Sequence, residues 1–282
     1  MNFKASGALI MLMASAALAA EAPDKARSTP RVTPLTVGNL TLQQGKPAII
    51  VSLTGASEED MLRQASEAAQ RDSVQMAELR ADKLAFVTDA ERVARLGHAI
   101  RTRLQGKPLL LTFRSKAEGG DKTLDAHTYS SLYRQWLDAG FADLIDIEMQ
   151  AGETVVRPLI ACAHQRNTRV ILSYHDFATT PSLADILSRL QQQDAQGADI
   201  LKIALMPHSP ADVTRLLDAS WQMRQQTDKP MLIMAMGDTG KITRMSGELF
   251  GSNLTFASLG EASAPGQIAS DELAQFLEAL RQ

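Results

Sequence analysis

Lys202 and His175 are the residues whose type and surroundings most suggest chemistry in this chain of 282 residues. Lys202 lies between Leu201 and Ile203 in the apolar run Ile200–Leu205, and His175 closes the run Val170–His175. Loss of water and nearby positive charge both disfavour an ammonium, so a lysine held this way offers free amine. Such an amine adds to ketones or aldehydes to form a Schiff base, and the iminium acidifies a neighbouring C–H bond. Histidine titrates near neutrality, so His175 suits taking that proton and returning it to a leaving group. Among the other histidines, His98, His127 and His164 fall in helical or loop patterns that suit a surface, and His208 is a weaker alternative base. No HxxxH or HExxH spacing occurs, so no metal site is expected. No cofactor is expected either.

Strand parity groups further charges with the lysine. Successive strand residues face opposite sides, so residues of one parity share a wall. Met76, Glu78 and Arg80 share one face against Ala77 and Leu79, while Thr112 and Arg114 oppose Leu111 and Phe113. Asp146 and Glu148 oppose Ile145 and Ile147; Ser173 and His175 oppose Leu172 and Tyr174; Lys202 shares a face with Ile200 and Ala204. If the strands close into a barrel, the apolar faces must meet the helices and the polar set points inward. Buried charges are costly to desolvate, which favours a site over a stability device, although ion-pair networks without catalysis also occur. Arg80 and Arg114 then stand beside Lys202, and inward arginines suit bidentate capture of a carboxylate. Glu118, in the loop after Arg114, either orients the imidazole or is an exposed loop carboxylate. The residues by themselves describe a Schiff-base lyase or an aldolase acting on an anionic keto compound. An exported binding protein that keeps the pocket without turnover is the alternative from another class.

The elements that must position these groups recur as strand and helix. Strand candidates are Ala48–Leu53, Val74–Arg80, Leu109–Arg114, Leu144–Glu148, Val170–His175, Ile200–Leu205, Leu232–Met236 and Leu254–Ser258. Between them, Glu58–Gln70, Ala90–Leu104, Thr128–Ala139, Leu183–Gln193 and Pro210–Gln226 repeat apolar residues at helical spacing, and Ala269–Leu280 closes the chain. About eight strand–helix units predict a (β/α)8 TIM barrel, an α/β fold, over residues 35–282. Two short alternating segments around Gly38 and Asn39 predict an N-terminal β-hairpin before it. An open doubly wound sheet is the competitor, but no GxGxxG turn follows the first strand.

Upstream, Lys4 precedes an uncharged run from Ala5 to Ala20 that ends in small residues. That pattern predicts a signal peptide over residues 1–19, cleaved after Ala19, and a periplasmic protein with no membrane attachment after cleavage. Residues 20–34, with three prolines and mixed charges, predict a flexible leader. The chain is 45% hydrophobic and 22% charged, with 29 Lys and Arg against 32 Asp and Glu. A net charge of −3 and a pI near 6.0 argue against a nucleic-acid partner. Cys162 is the only cysteine, which rules out an intramolecular disulfide and suits a small core residue.

Read together, several motifs resemble one family, the type I 3-dehydroquinate dehydratases. They are Glu78-Leu79-Arg80, Thr112-Phe113-Arg114 leading to Glu118-Gly119-Gly120, His175-Asp176-Phe177 and Lys202-Ile203-Ala204. Further on come Arg244, Gly247-Glu248-Leu249-Phe250-Gly251-Ser252 and Ser263-Ala264-Pro265-Gly266-Gln267. The resemblance implies a barrel enzyme that dehydrates 3-dehydroquinate to 3-dehydroshikimate, without cofactor, and it suggests a homodimer. It implies that Lys202 forms the imine, His175 moves the protons and Glu118 pairs with that histidine. It further implies that Arg244 clamps the substrate carboxylate. Ser52, Glu78, Arg80, Arg114, Ser263 and Gln267 match substrate-binding positions, Met234 and Met236 match apolar contacts to the ring, and Ser263–Gln267 resembles the lid. An export signal is unusual for this mostly cytoplasmic, biosynthetic family, and would suit quinate or shikimate catabolism.

Overall fold

The computed structural model describes residues 31–281. The expected signal peptide and most of the leader lie outside them. Of the leader, residues 31–34 are described: Val32 is buried, and Thr33 N donates to Asp228 O at 2.8 Å. That end of the segment is tied to the body, where flexibility is the sequence expectation.

Leu35–Val37 (β1) and Leu40–Leu42 (β2) form the expected hairpin, turning through Gly38 at φ +56°, a conformation that glycine adopts without strain. Eight strands follow: β3 (Ala48–Leu53), β4 (Met76–Arg80), β5 (Leu109–Thr112), β6 (Leu144–Glu148), β7 (Arg169–Asp176), β8 (Ile200–Leu205), β9 (Met231–Ala235) and β10 (Leu254–Ala257). All neighbours pair in parallel, in the order β10-β3-β4-β5-β6-β7-β8-β9. The circle closes between β9 and β10 largely through side chains. Asn253 N donates to Met231 O at 2.7 Å, Asn253 Oδ1 accepts from Met231 N, and Ser252 Oγ accepts from Ile233 N. The fold is the expected (β/α)8 barrel with its small antiparallel hairpin.

The helices are α1 (Glu58–Gln70), α2 (Ala90–Arg103), α3 (Ala126–Ala139), α4 (Glu153–Gln165), α5 (Leu183–Ala195), α6 (Pro210–Arg224), α7 (Lys241–Met245), α8 (Gly247–Phe250) and α9 (Ser270–Ala279). Ser57, Asp89, Asp125 and Ser182 start four of them by accepting an orphan N–H of the first turn. α4 lies outside the helical patterns named above and carries Pro158 in its second turn. Arg114, Met236 and Ser258 fall just beyond their strands, and Val74 just before β4.

Parity divides the core into two layers. Ile49, Val51, Leu53, Ala77, Leu79, Leu111, Ile145, Ile147, Leu172, Leu201, Ile203 and Ile233 pack with the helices. Inside the barrel, Ala48, Ile50, Met76, Leu110, Leu144, Ile171, Ile200, Leu232 and Leu254 cluster with Val37 and Leu42 of the hairpin. The apolar floor therefore sits at the N-terminal ends of the strands, closed by β1 and β2. Every polar inward residue is displaced toward the C-terminal ends, where a barrel presents its loops.

Candidate active site

Above that floor, a cavity of about 520 Å³ is lined by Ser52, Glu78, Arg80, Arg114, Glu118, His175, Lys202, Met234, Met236, Arg244, Ser263 and Gln267. All twelve candidates from the sequence thus meet at one place, joined by Phe177, Phe256, Gly119, Ala204 and Ala264. His208 is elsewhere, its Nε2 against the Ala178 carbonyl. His164 pairs with Asp199, and His98 meets the Ala139 carbonyl.

Lys202 is only 3% exposed, and its Nζ lies 2.7 Å from Asp146 Oδ2 and 4.9 Å from the Phe256 ring centre. This corrects the expectation of an amine surrounded by cations. Residue 146 occupies the same inner wall two strands away, and its carboxylate stands between the lysine and Arg114, 2.8 Å from Arg114 Nη2. The lysine must leave this partner to act as a nucleophile. Its backbone is held as well: Gln193, fully buried on α5, accepts from Lys202 N at 2.9 Å and donates to Lys202 O at 2.8 Å. Asp146 and Gln193 are absent from the sequence candidates. Asp146 was legible by parity, but a buried glutamine on a helix face carries no signal of its partner.

Arg114 binds the anions together. Its Nη1 meets Glu148 Oε1 at 2.9 Å, Ser173 Oγ at 3.1 Å and Glu118 Oε2 at 3.2 Å. Burial disfavours its charge, but Asp146, Glu148 and Glu118 outweigh burial and push its pKa further up. Burial alone would raise Asp146; Arg114 and Lys202 reverse that and hold it low. Arg114 is thereby committed to the protein and has little left for a ligand.

Glu118 is not an exposed loop carboxylate. It is 1% exposed, and its Oε2 lies 2.8 Å from His175 Nδ1. Burial raises its pKa to about 8; Arg114 opposes this and Glu148 and Asp146 add to it. Burial also pushes His175 well below its ordinary value, reinforced by Arg114, Lys202 and Arg80. The short contact has the length of an ion pair, yet both shifts favour the neutral partners. Glu118 Oε1 is buried without a hydrogen-bond partner among the described residues, which suits a protonated carboxyl better than an anion. Burial thus favours a neutral hydrogen bond in this pair, against the pull of Arg114 on the Glu118 carboxylate. His175 Nε2 keeps no protein partner among the described residues, and the Phe177 ring stacks on the imidazole at 6.4 Å between centres.

The remaining side chains divide into satisfied and unsatisfied groups. Glu78 accepts from Ser52 Oγ at 2.5 Å and from Thr112 Oγ1 at 2.7 Å. Arg80 is held by both oxygens of Asp82, at 2.8 and 2.9 Å. Ser263 and Gln267 bond each other across the loop that follows β10. Arg244 differs. It is 1% exposed and, among the described residues, meets no carboxylate: Nη1 reaches Phe256 O at 3.3 Å, Nη2 reaches Pro265 O at 3.2 Å, and Nε has no partner there. Burial alone lowers its pKa to about 10. A guanidinium buried without an anion, facing a cavity, is a receptor for an anionic group.

The chain matches the family model for type I 3-dehydroquinase over residues 49–282. It is 43% identical over 249 residues to the 3-dehydroquinate dehydratase of Salmonella agona, covering 88% of this chain and 98% of that one. Among solved structures, the Clostridium difficile type I 3-dehydroquinate dehydratase with covalently modified comenic acid aligns with a TM-score of 0.85 at 36% identity, covering 88% and 98% of the two chains. The 3-dehydroquinate dehydratase of Geobacillus kaustophilus aligns with a TM-score of 0.86 at 33% identity, covering 90% and 98%. This chain therefore belongs to the type I 3-dehydroquinase family.

Proposed function

We propose that the protein dehydrates 3-dehydroquinate to 3-dehydroshikimate through a Schiff base on Lys202. The observation that carries this is the juxtaposition of three groups on one cavity: an amine, a carboxyl-bonded imidazole and an arginine without an anion. The Lys202 amine adds to the ring ketone and water leaves, giving an iminium that makes the adjacent C2–H acidic. His175 Nε2 takes the C2 proton, and the electron pair flows into the enamine. The enamine then expels the C1 hydroxyl, which departs as water with the proton His175 returns. Water finally hydrolyses the conjugated iminium, releasing product and free lysine. Asp146, kept ionised by Arg114, stays beside Nζ and stabilises the positive charge of the iminium.

Arg244 takes the substrate carboxylate. Arg80, Glu78 and Ser52 receive ring hydroxyls, with Met234 and Met236 against the ring carbons. The Ser263–Gln267 loop covers the site: Gly237 N donates to Pro265 O at 3.2 Å, bringing the loop to the end of β9. Excluding water protects the iminium until elimination is complete. The test is to add 3-dehydroquinate and follow the conjugated-enone absorbance of the product. Growth proportional to enzyme is expected; a flat trace from folded protein refutes the proposal.

Export belongs to the same proposal, because the n-region, apolar run and small-residue exit of residues 1–19 suit a signal peptide. A periplasmic enzyme would serve catabolism of quinate or shikimate rather than aromatic biosynthesis. N-terminal sequencing of protein from the periplasmic fraction should begin at Ala20. Uncleaved protein in the cytosol would remove the basis for export.

A further inference from the structure

Asp82 touches none of the reacting groups in the mechanism above, yet four donors converge on it. It lies in the turn Ala81–Lys83 that follows β4 and is 0% exposed. Arg80 Nε and Nη2 donate to its two oxygens at 2.8 and 2.9 Å, Arg114 N donates at 3.2 Å, and Asp121 N approaches at 3.4 Å. Its own carbonyl accepts from Lys122 Nζ. One carboxylate therefore joins the end of β4, the end of β5 and the far side of the loop between residues 115 and 122.

That loop carries Glu118. It is folded back tightly: Gly120 N donates to Ser115 O at 2.8 Å, Lys116 N to Lys122 O at 2.7 Å, and Glu118 N to Ser115 O at 3.0 Å. A Cβ on Gly120 would stand 1.9 Å from Arg114 O, so there is no slack between the loop and the strand end. The same carboxylate also takes two of the three guanidinium nitrogens of Arg80, which fixes the plane of that group and leaves Nη1 for the cavity. Desolvating a carboxylate this completely is costly and needs matched donors in return. All four donors belong to segments that carry site residues.

We propose that Asp82 is a positioning residue that sets both the Arg80 guanidinium and the Glu118–His175 pair, coupling substrate binding to proton transfer through one buried carboxylate. The inference rests on the proposed dehydratase function. Displacing a catalytic group by about 1 Å costs up to roughly 10²-fold in rate.

The test is Asp82→Asn, which keeps the shape but turns one acceptor into a donor facing Arg80. We expect KM to rise, as loss of Arg80 orientation demands, and kcat to fall by roughly 10–10²-fold through Glu118. In the double variant Asp82→Asn/Glu118→Gln, kcat should lie close to that of Glu118→Gln alone, because groups acting as one unit do not combine multiplicatively. Folded Asp82→Asn with kcat and KM at wild-type values overturns the proposal, and so does a fully multiplicative loss of kcat in the double variant. If Asp82→Asn does not fold, Arg80→Met/Asp82→Leu removes both charges together and leaves no ion uncompensated. Its kcat at saturating substrate should fall below that of wild type, and a wild-type kcat overturns the proposal. A wild-type protein without dehydratase activity would instead sink the functional assignment, so the two failures are distinguishable.

Discussion

Arg244→Met should make the protein more stable and a poorer enzyme at once. Burial lowers the Arg244 pKa from 12.5 to about 10, and the residue is 1% exposed, so little solvent screening needs to be discounted. At about 1.4 kcal/mol per pKa unit, holding that charge in the buried site costs about 3 kcal/mol. Substitution also loses the bonds to Phe256 O and Pro265 O, worth about 1 kcal/mol each. A net gain of about 1 kcal/mol remains, which for a domain of this size raises Tm by roughly 2–4 °C. Substrate binding moves the other way. Two charge-assisted hydrogen bonds to a carboxylate contribute about 1.5–3 kcal/mol each, so their loss should raise KM by roughly 10²–10⁴-fold. Initial rates from enone absorbance and calorimetric Tm measure the two effects on one preparation. Product at about 100 times its Kd should stabilise wild type by about 2.7 kcal/mol but leave the Tm of Arg244→Met nearly unchanged. Unchanged KM together with a lower Tm would mean that Arg244 is a structural residue, and the anion-receptor argument would fail.

Other perturbations separate the remaining roles. His175→Ala should still form imine, trapped by borohydride, while turnover falls by roughly 10²–10⁴-fold; full turnover would require a different base. With the Glu118 pKa raised to about 8, kcat/KM should rise with pH to a plateau above that value, and Glu118→Gln should remove this limb; a wild-type profile flat from pH 6 to 9 refutes the assignment. The same shift sets a stability trend. Glu118 titrates higher folded than its ordinary 4.5, so its contribution is fully present below 4.5 and is lost as pH climbs to about 8. Wild type should lose stability across that window relative to Glu118→Gln, as pH-dependent denaturant melts would show. Gly266 has φ +75°, and a Cβ there would sit 2.2 Å from Gly237 O, so Gly266→Ala should unseat the lid. Turnover should drop with little change in Tm; wild-type turnover would show that the loop contact is dispensable.

Parity was the informative signal. Glu78, Arg80, Asp146, Glu148, Ser173 and Lys202 alternate with apolar residues along their strands, and Arg114 continues the pattern just past β5, so closing the sheet fixes which way they point. What parity lacks is distance between strands. It placed Arg80, Arg114 and Asp146 on one wall without revealing that Asp146 reaches Lys202 first. Glu118 was ambiguous because its burial depends on a loop folded against Arg114 through glycines and Asp82, contacts that no periodicity encodes. Likewise Gln193 meets the Lys202 backbone across the helix–strand layer, where sequence separation says nothing of geometry. The motifs around His175 and Lys202 were legible through family resemblance.

Borohydride reduction of protein mixed with 3-dehydroquinate, followed by peptide mass mapping, tests the Schiff base itself. A single reduced adduct on Lys202, absent from Lys202→Ala, is the expected result. An adduct on any other lysine, or none at all from a preparation that turns substrate over, contradicts it.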